Sequence, residues 1–366
     1  MIYKEYGKTG KKVSAVGCGG MRFLKEDYEK DIGKCAEIVL RAQELGINYF
    51  DTAPGYCDDK SELIFGRAFA QMKGEYYVST KCALWDATTA DEARQMLEQS
   101  LTRLHRDKIT FYNLWCIKRM EEYERFMKKG GVYEGIVKAQ EEGLVEHICF
   151  TTHLAGEDIA KIAQTGLFAG VTLGYNAVNF AYRQAGVDAC AKEGMGIVTM
   201  NPLGGGIIPQ NPEYFSFIRG NSSDSITVAA LKFIVSQPSI TVALPGVSSL
   251  AELEEDVLAT ENLTSMKEGY WDEMAKNLGS ELNSLCTGCS YCNECPSEVP
   301  IPKLLEAYNM YILSGGKDKA ITARLRDHWG ISAEQAQKCV QCGKCETLCT
   351  QKLPIMERLA HIASIS

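Results

Sequence analysis

Two cysteine runs near the end of this 366-residue chain constrain its folding more than any other feature. They read Cys286-Thr-Gly-Cys289-Ser-Tyr-Cys292-Asn-Glu-Cys295 and Cys339-Val-Gln-Cys342-Gly-Lys-Cys345-Glu-Thr-Leu-Cys349. A short C-x2-C-x2-C loop lets three thiolates cap one face of an iron–sulfur cubane, and the fourth ligand then comes from a distant run. The spacing predicts two [4Fe–4S] clusters. One rests on Cys286, Cys289, Cys292 and Cys349, the other on Cys339, Cys342, Cys345 and Cys295. A four-cysteine zinc site is the competing reading, but zinc has no use for the third cysteine that both runs place at the next x2 position. Disulfides would need an oxidising compartment. Thr350 stands where proline commonly follows the last cysteine of such a run, a change that removes no ligand.

The other seven cysteines are scattered over the first 190 residues. A hydrophobic content of 45% and a charged content of 23% are those of a globular chain. The net charge of −8 is moderate and basic residues are not blocked together, which argues against a nucleic-acid partner. Met1-Ile2-Tyr3-Lys4-Glu5-Tyr6 has no signal-peptide pattern and no apolar run is long enough to span a bilayer, so the expectation is a cytoplasmic protein without a membrane partner.

Residues 1–280 read as strands alternating with amphipathic helices. Candidate strands are Val13–Gly17, Asn48–Ala53, Tyr76–Lys81, Ile109–Trp115, Val145–Thr151, Gly170–Asn176, Gly196–Leu203 and Ile240–Gly246. Eight strand–helix units in about 250 residues fit a (β/α)8 TIM barrel. A doubly wound sheet is the alternative, but Gly17-Cys18-Gly19-Gly20 lacks the third glycine of a dinucleotide-binding turn. The expected organisation is an α/β barrel over 1–280, then a small, mainly helical, ferredoxin-like two-[4Fe–4S] domain over 281–366.

The chain resembles the aldo/keto reductases, in the branch with a C-terminal iron–sulfur domain. The resemblance rests on Phe50-Asp51-Thr52-Ala53-Pro54-Gly55-Tyr56, on Ser61-Glu62 with Phe65-Gly66-Arg67, and on Ser79-Thr80-Lys81. It continues in Ser100-Leu101-Thr102-Arg103-Leu104, Asn201-Pro202-Leu203-Gly204-Gly205-Gly206 and Leu244-Pro245-Gly246, and spans nearly the whole chain. It implies that Tyr56 supplies the proton to a carbonyl oxygen, that Lys81 tunes it, and that Asp51 holds Lys81. A neighbouring ammonium favours the phenolate and would lower a tyrosine pKa from about 10.

Departures from the family pattern bear on substrate and cofactor. Trp115 stands where the family has histidine; an indole can only donate and is bulky. His153 is a second candidate for that pocket. Thr151 and Thr152 take the positions that hold the nicotinamide carboxamide, together with Thr172 on the sixth strand. Met200 replaces the stacking aromatic. Pro202, Leu203 and Gly204 follow the seventh strand, and Gly246 and Ser248 the eighth. Glu252 stands where an arginine often grips a ribose 2′-phosphate, so NAD(H) is expected at least as readily as NADP(H). Cys18, Cys57, Cys82 and Cys116 lie at the same end of the barrel, where strand alternation turns Cys82 and Cys116 away from Lys81 and Trp115.

Three functions follow as expectations. The first is an iron–sulfur oxidoreductase moving hydride between NAD(P)H and a small carbonyl, alcohol or enone, with the clusters wired to the barrel or to an electron-transfer partner protein. The second is a reductase fed with single electrons through the clusters, acting on an activated double bond with little nicotinamide use. The third is a non-catalytic electron-transfer protein with a relic barrel.

Overall fold

A computed structural model describes residues 1–263 and 285–365. The boundary expected at 280/281 lies outside the described residues. The chain divides into two compact units. The first holds Met1–Leu203 and the described residues from Ile218 to 263; the second holds Gly204–Phe217 and the described residues from 285 onward.

The first unit opens with an antiparallel hairpin, β1 (Tyr3–Glu5) and β2 (Lys12–Ser14). Eight parallel strands follow: β3 (Cys18–Gly19), β4 (Tyr49–Asp51), β5 (Tyr77–Ala83), β6 (Ile109–Ile117), β7 (Val145–Thr152), β8 (Gly170–Gly174), β9 (Gly196–Met200) and β10 (Val242–Leu244). Each pairs with the next in chain order. Parallel bridges Val16 to Ala243 and Gly19 to Gly246 join the two ends, backed by Gly17 N–H to Ala243 O at 2.9 Å. The sheet is thereby a (β/α)8 barrel, as expected. Its first strand differs from the expected Val13–Gly17: the apolar run is split between the hairpin and the closing bridges.

The helices between strands are set by local chemistry. In α1 (Ala90–Leu104), Thr89 accepts from Glu92 N–H while Glu92 reaches back to the cap, a reciprocal capping box. Ala93, Met96, Leu97, Ser100, Leu101 and Leu104 recur at three- and four-residue spacing and are the buried positions. The helix ends at His105, which turns left-handed at φ 51°. A barrel floor is laid by Tyr6, whose ring stacks on Phe111 at 4.0 Å and packs with Tyr49, Tyr77, Cys149 and Val198. A Cβ at Gly170 or Gly196 would strike the Tyr6 ring, which is why both positions are glycine.

The second unit packs α2 (Ile301–Leu313), α3 (Asp318–Arg324), α4 (Lys344–Leu348) and α5 (Ile355–Ser364) around Leu304, Leu305, Ile321, Leu325, Leu359 and Ile362. Cys345 and Cys349 are buried in this core, and Cys286, Cys292, Cys295 and Cys339 pack against it. Buried Asn309 clamps the first cysteine from both sides: Cys286 N–H donates to Asn309 Oδ1 and Asn309 Nδ2 donates to Cys286 O, each at 2.8 Å. The stretch after β9 belongs here too, with Arg324 donating to Gln210 at 2.9 Å and to Glu306 at 2.6 Å.

Candidate functional site

Strand alternation places the site. Tyr49, Tyr77, Phe111, Cys149 and Val198 share the interior of the barrel. Residues two further along each strand face the same way. That parity puts Asp51, Ser79, Asn113, Thr151 and Met200 inside, with Lys81 and Trp115 one layer higher toward the C-terminal end, where barrel active sites form.

Lys81 and Asp51 are an ion pair, Nζ to Oδ2 at 2.7 Å, with side-chain exposures of 4% and 5%. Lys81 also donates to Thr52 O at 2.7 Å. Ser79 Oγ donates to the other Asp51 oxygen at 2.7 Å, and Asn113 Nδ2 donates to Ser79 Oγ at 3.0 Å. Every oxygen of the buried carboxylate is thus engaged, which low-dielectric burial of a charge demands. The Lys81 ammonium lies 5.1 Å from the centre of the Tyr56 ring. Tyr56 meets Trp115 edge-on at 5.4 Å, and Trp115 meets Trp85 at 4.8 Å. Beside them lies a cavity of about 590 Å³, lined by Pro54, Gly55, Trp85, Asp86, Arg103 and Trp115.

Burial, and after it the charge of Asp51, holds the Tyr56 phenol well above its usual range. The direction is opposite to the expected lowering by Lys81. The ammonium is already committed to Asp51 and Thr52, and the half-buried ring loses enough water that desolvation of the phenolate dominates. Tyr56 therefore keeps its proton at neutral pH.

His153 does not line this cavity. Its backbone N–H donates to Ile117 O at 2.9 Å, and burial, then the charges of Arg183 and Lys118, push its imidazole down to about 3. Thr151 and Thr172 are direct register partners on β7 and β8. Both hydroxyls are buried and have no hydrogen-bond partner among the described residues, so each is ready to meet a polar group brought in by a ligand. Thr152 faces the other way: its hydroxyl donates to Ile117 O at 2.9 Å and accepts from Leu154 N–H at 3.0 Å. Met200 ends β9, followed by buried Pro202 and half-buried Leu203, while Gly204 belongs to the second unit. Glu252 accepts from Ser248 N–H at 2.8 Å and from its hydroxyl at 2.7 Å, on the exposed first turn of the helix Leu250–Val257. Cys82 and Cys116 are buried, and burial pushes the Cys82 thiol up to about 12.

Sequence reasoning missed Ser79, Asn113, Trp85 and Arg22. The first two could have been found by counting back two residues from Lys81 and Trp115. Arg22 lies against Gly246, where a Cβ would meet its side chain, and its charge acts on Tyr56. No local pattern signals it.

In the second unit the thiols fall into two neighbourhoods. Cys286 and Cys292 are each pushed up to about 12, by burial first and then by nearby thiolates including Cys289 and Cys349. Leu353 N–H donates to Cys349 Sγ at 3.4 Å. A cavity is lined by Cys295, Cys339, Cys342 and Cys345, and by Cys292 as well. Thiols pushed up by burial, such as Cys286 and Cys292, become thiolates when a cationic centre joins them. The donor set fits iron–sulfur clusters.

The aldo/keto reductase family model matches residues 15–276, and that of the 4Fe-4S dicluster domain matches residues 285–353. L-galactose dehydrogenase of Arabidopsis thaliana is 26% identical over 290 residues, covering 71% of this chain and 88% of that protein. Pyridoxine 4-dehydrogenase of Escherichia coli (strain K12) is 25% identical over 271 residues, covering 68% and 90%. An aldo-keto reductase from Bacillus halodurans, solved in its holo form, superposes with a TM-score of 0.63 at 18% identity over 76% of this chain and 96% of that one.

Proposed function

The chain belongs to the aldo/keto reductase family, is an oxidoreductase and carries a C-terminal 4Fe-4S domain, and from that premise we propose that it moves hydride between NAD(P)H and a small carbonyl or alcohol, with two [4Fe–4S] clusters for single electrons. The observation that carries this reading is the buried Asp51–Lys81 pair set 5.1 Å from the Tyr56 ring. A relic barrel would have no reason to keep a dehydrated ion pair whose desolvation costs several kcal/mol per ion. The electron-transfer-only alternative loses its ground there.

The nicotinamide, when bound, supplies the hydride. The orphaned hydroxyls of Thr151 and Thr172 are the groups we assign to its carboxamide. Tyr56 holds the proton for the substrate oxygen, its pKa kept high by burial and by Asp51. As that oxygen gains charge, Lys81 is the cation that stabilises the phenolate left behind. Asp51 fixes the ammonium, and Ser79 with Asn113 fixes Asp51. The relatives named for L-galactose and pyridoxine support a small alcohol or its carbonyl as the substrate class. Anaerobic titration with NADH, NADPH and dithionite tests the proposal. Cluster reduction by dithionite alone, with neither nicotinamide bound, would move it to the electron-fed reductase.

Trp115 favours flat substrates within this reading. Its indole, set between Tyr56 and Trp85, offers an apolar plate in place of an imidazole. Aromatic contacts contribute roughly 0.5–1.5 kcal/mol beyond burial. Conjugated or aromatic ketones should therefore outrun simple aldehydes. Trp115→His should raise rates on small aldehydes and lower those on the flat substrate, by about two- to tenfold each. Rates of both proteins on both classes decide it; native activity already highest on small aldehydes would remove Trp115 from specificity.

Cofactor choice is the next expectation. Glu252 beside an adenosine ribose would repel a 2′-phosphate. The carboxylate is exposed, so the solvent-like end of the Coulomb range applies, about 1 kcal/mol or fivefold. NADH should bind tighter than NADPH, and Glu252→Arg should narrow or reverse the preference. Fluorescence titration of both cofactors reads it, and tighter NADPH binding by the native protein would place another cation at the phosphate.

A further inference from the structure

Arg358 is a charge without an evident purpose. It sits in the first turns of α5, 4% exposed, where an amphipathic helix would ordinarily turn an arginine to solvent. Its guanidinium lies over the Tyr308 ring at 5.0 Å, and buried Nη1 has no hydrogen-bond partner among the described residues. A buried guanidinium nitrogen without an acceptor is costly, and an anion beside it would remove that cost. The sulfurs of Cys286 and Cys349 are its electrostatic neighbours. A cubane held by four thiolates is anionic in both redox states and more so when reduced.

A second donor stands at the same place. Thr350 Oγ1 is 3.4 Å from Cys289 Sγ. Gln351 Nε2 donates to that hydroxyl at 3.3 Å. An iron-bound thiolate can only accept, so the Thr350 hydroxyl donates to it. The proline usual after such a run could make no such bond. Around the other four cysteines the fixed charges differ: Glu294 and Lys344 line the cavity, Glu346 acts on Cys345, and Cys342 is exposed.

We propose that Arg358, helped by the Thr350 hydroxyl, is the residue that sets the potential of the cluster on Cys286, Cys289, Cys292 and Cys349, raising it by stabilising the reduced state. Cluster potentials follow net charge and hydrogen bonds to sulfur. One electron enters, no bond forms or breaks, and the guanidinium is charged before and after. The inference rests on the two-cluster reading, and the iron and acid-labile sulfide content of the native protein tests that reading separately, before any variant is made.

The test is an anaerobic potentiometric titration with dithionite, followed by electron paramagnetic resonance. Native protein should show two one-electron waves. Arg358→Gln should move one wave to lower potential, by about tenfold in the reduction equilibrium, which is about 59 mV for one electron. Arg358→Lys, which keeps the charge, should move it less. Thr350→Val should lower the same wave. Two unmoved waves in Arg358→Gln, or equal shifts in the Gln and Lys variants, would overturn the proposal. If a variant at 358 is isolated without its full iron, Thr350→Val decides: a lowered wave supports the assignment and an unmoved one sinks it.

Discussion

Replacing Lys81 by methionine should lower kcat/KM by about a hundredfold to ten-thousandfold, the range spanned by positioned acid–base groups, while cluster content stays at the native level. The phenol of Tyr56 already sits well above its usual pKa because it is buried and faces Asp51. Without the ammonium 5.1 Å from its ring, the phenolate keeps only the charge of Arg22 to offset it as it forms. At a given pH the loss should be equal in the two directions, because both pass through the same transition state and the substitution cannot move the reaction's equilibrium constant. Alcohol oxidation needs Tyr56 to accept a proton, so its rate in the native enzyme should climb with pH up to and beyond 10. Reduction needs the protonated phenol, which is the form present throughout the neutral range.

The same substitution strands a buried carboxylate, at about 3–5 kcal/mol. Asp51 would retain Ser79 as a partner, and Asp51→Asn combined with Lys81→Met removes the stranded charge. The double variant should recover stability in thermal unfolding without recovering turnover. If it recovers both, or if Lys81→Met alone keeps native rates, the proton passes through another group.

The barrel was legible because its signals are local and repeated. Apolar strands of five to nine residues carry their own pattern, such as Tyr77–Ala83 and Ile109–Ile117, and helices such as Ala90–Leu104 carry caps as well. The first strand was not, since Val13–Gly17 carries a single polar residue, Ser14, and only its partners decide the split: Lys12–Ser14 pairs with Tyr3–Glu5, while Val16 bridges to Ala243. Alternation alone could have separated Thr151, whose hydroxyl has no partner among the described residues, from Thr152, whose hydroxyl ties β7 to β6. Arg22 meets Gly246 across more than two hundred residues, and the burial of Arg358 depends on what packs over its helix. No window of sequence contains either fact. The direction of the Tyr56 shift was misread for a related reason: charge proximity can be guessed from a motif, whereas depth of burial cannot.

Cysteine replacements should show that each cluster is built across the two runs. Native protein should hold about eight irons, the content of two cubanes. Cys286→Ala with Cys289→Ala removes two ligands of one cluster and should leave about four irons. Adding Cys349→Ala to that pair should change nothing further, because Cys349 serves the cluster already lost. Adding Cys295→Ala instead should damage the survivor. The geometry behind this is specific. Thr350, the residue next to Cys349, has its hydroxyl 3.4 Å from Cys289 Sγ, 61 positions away. Cys286 and Cys292 both feel the charge of Cys349, whereas Cys295 lines a cavity with Cys339, Cys342 and Cys345, which Cys292 also borders. If each run held its own cluster, the two additions would exchange outcomes: Cys349→Ala would cost the remaining iron and Cys295→Ala would spare it. Iron and acid-labile sulfide assays on the two triple variants, prepared without oxygen, separate these results.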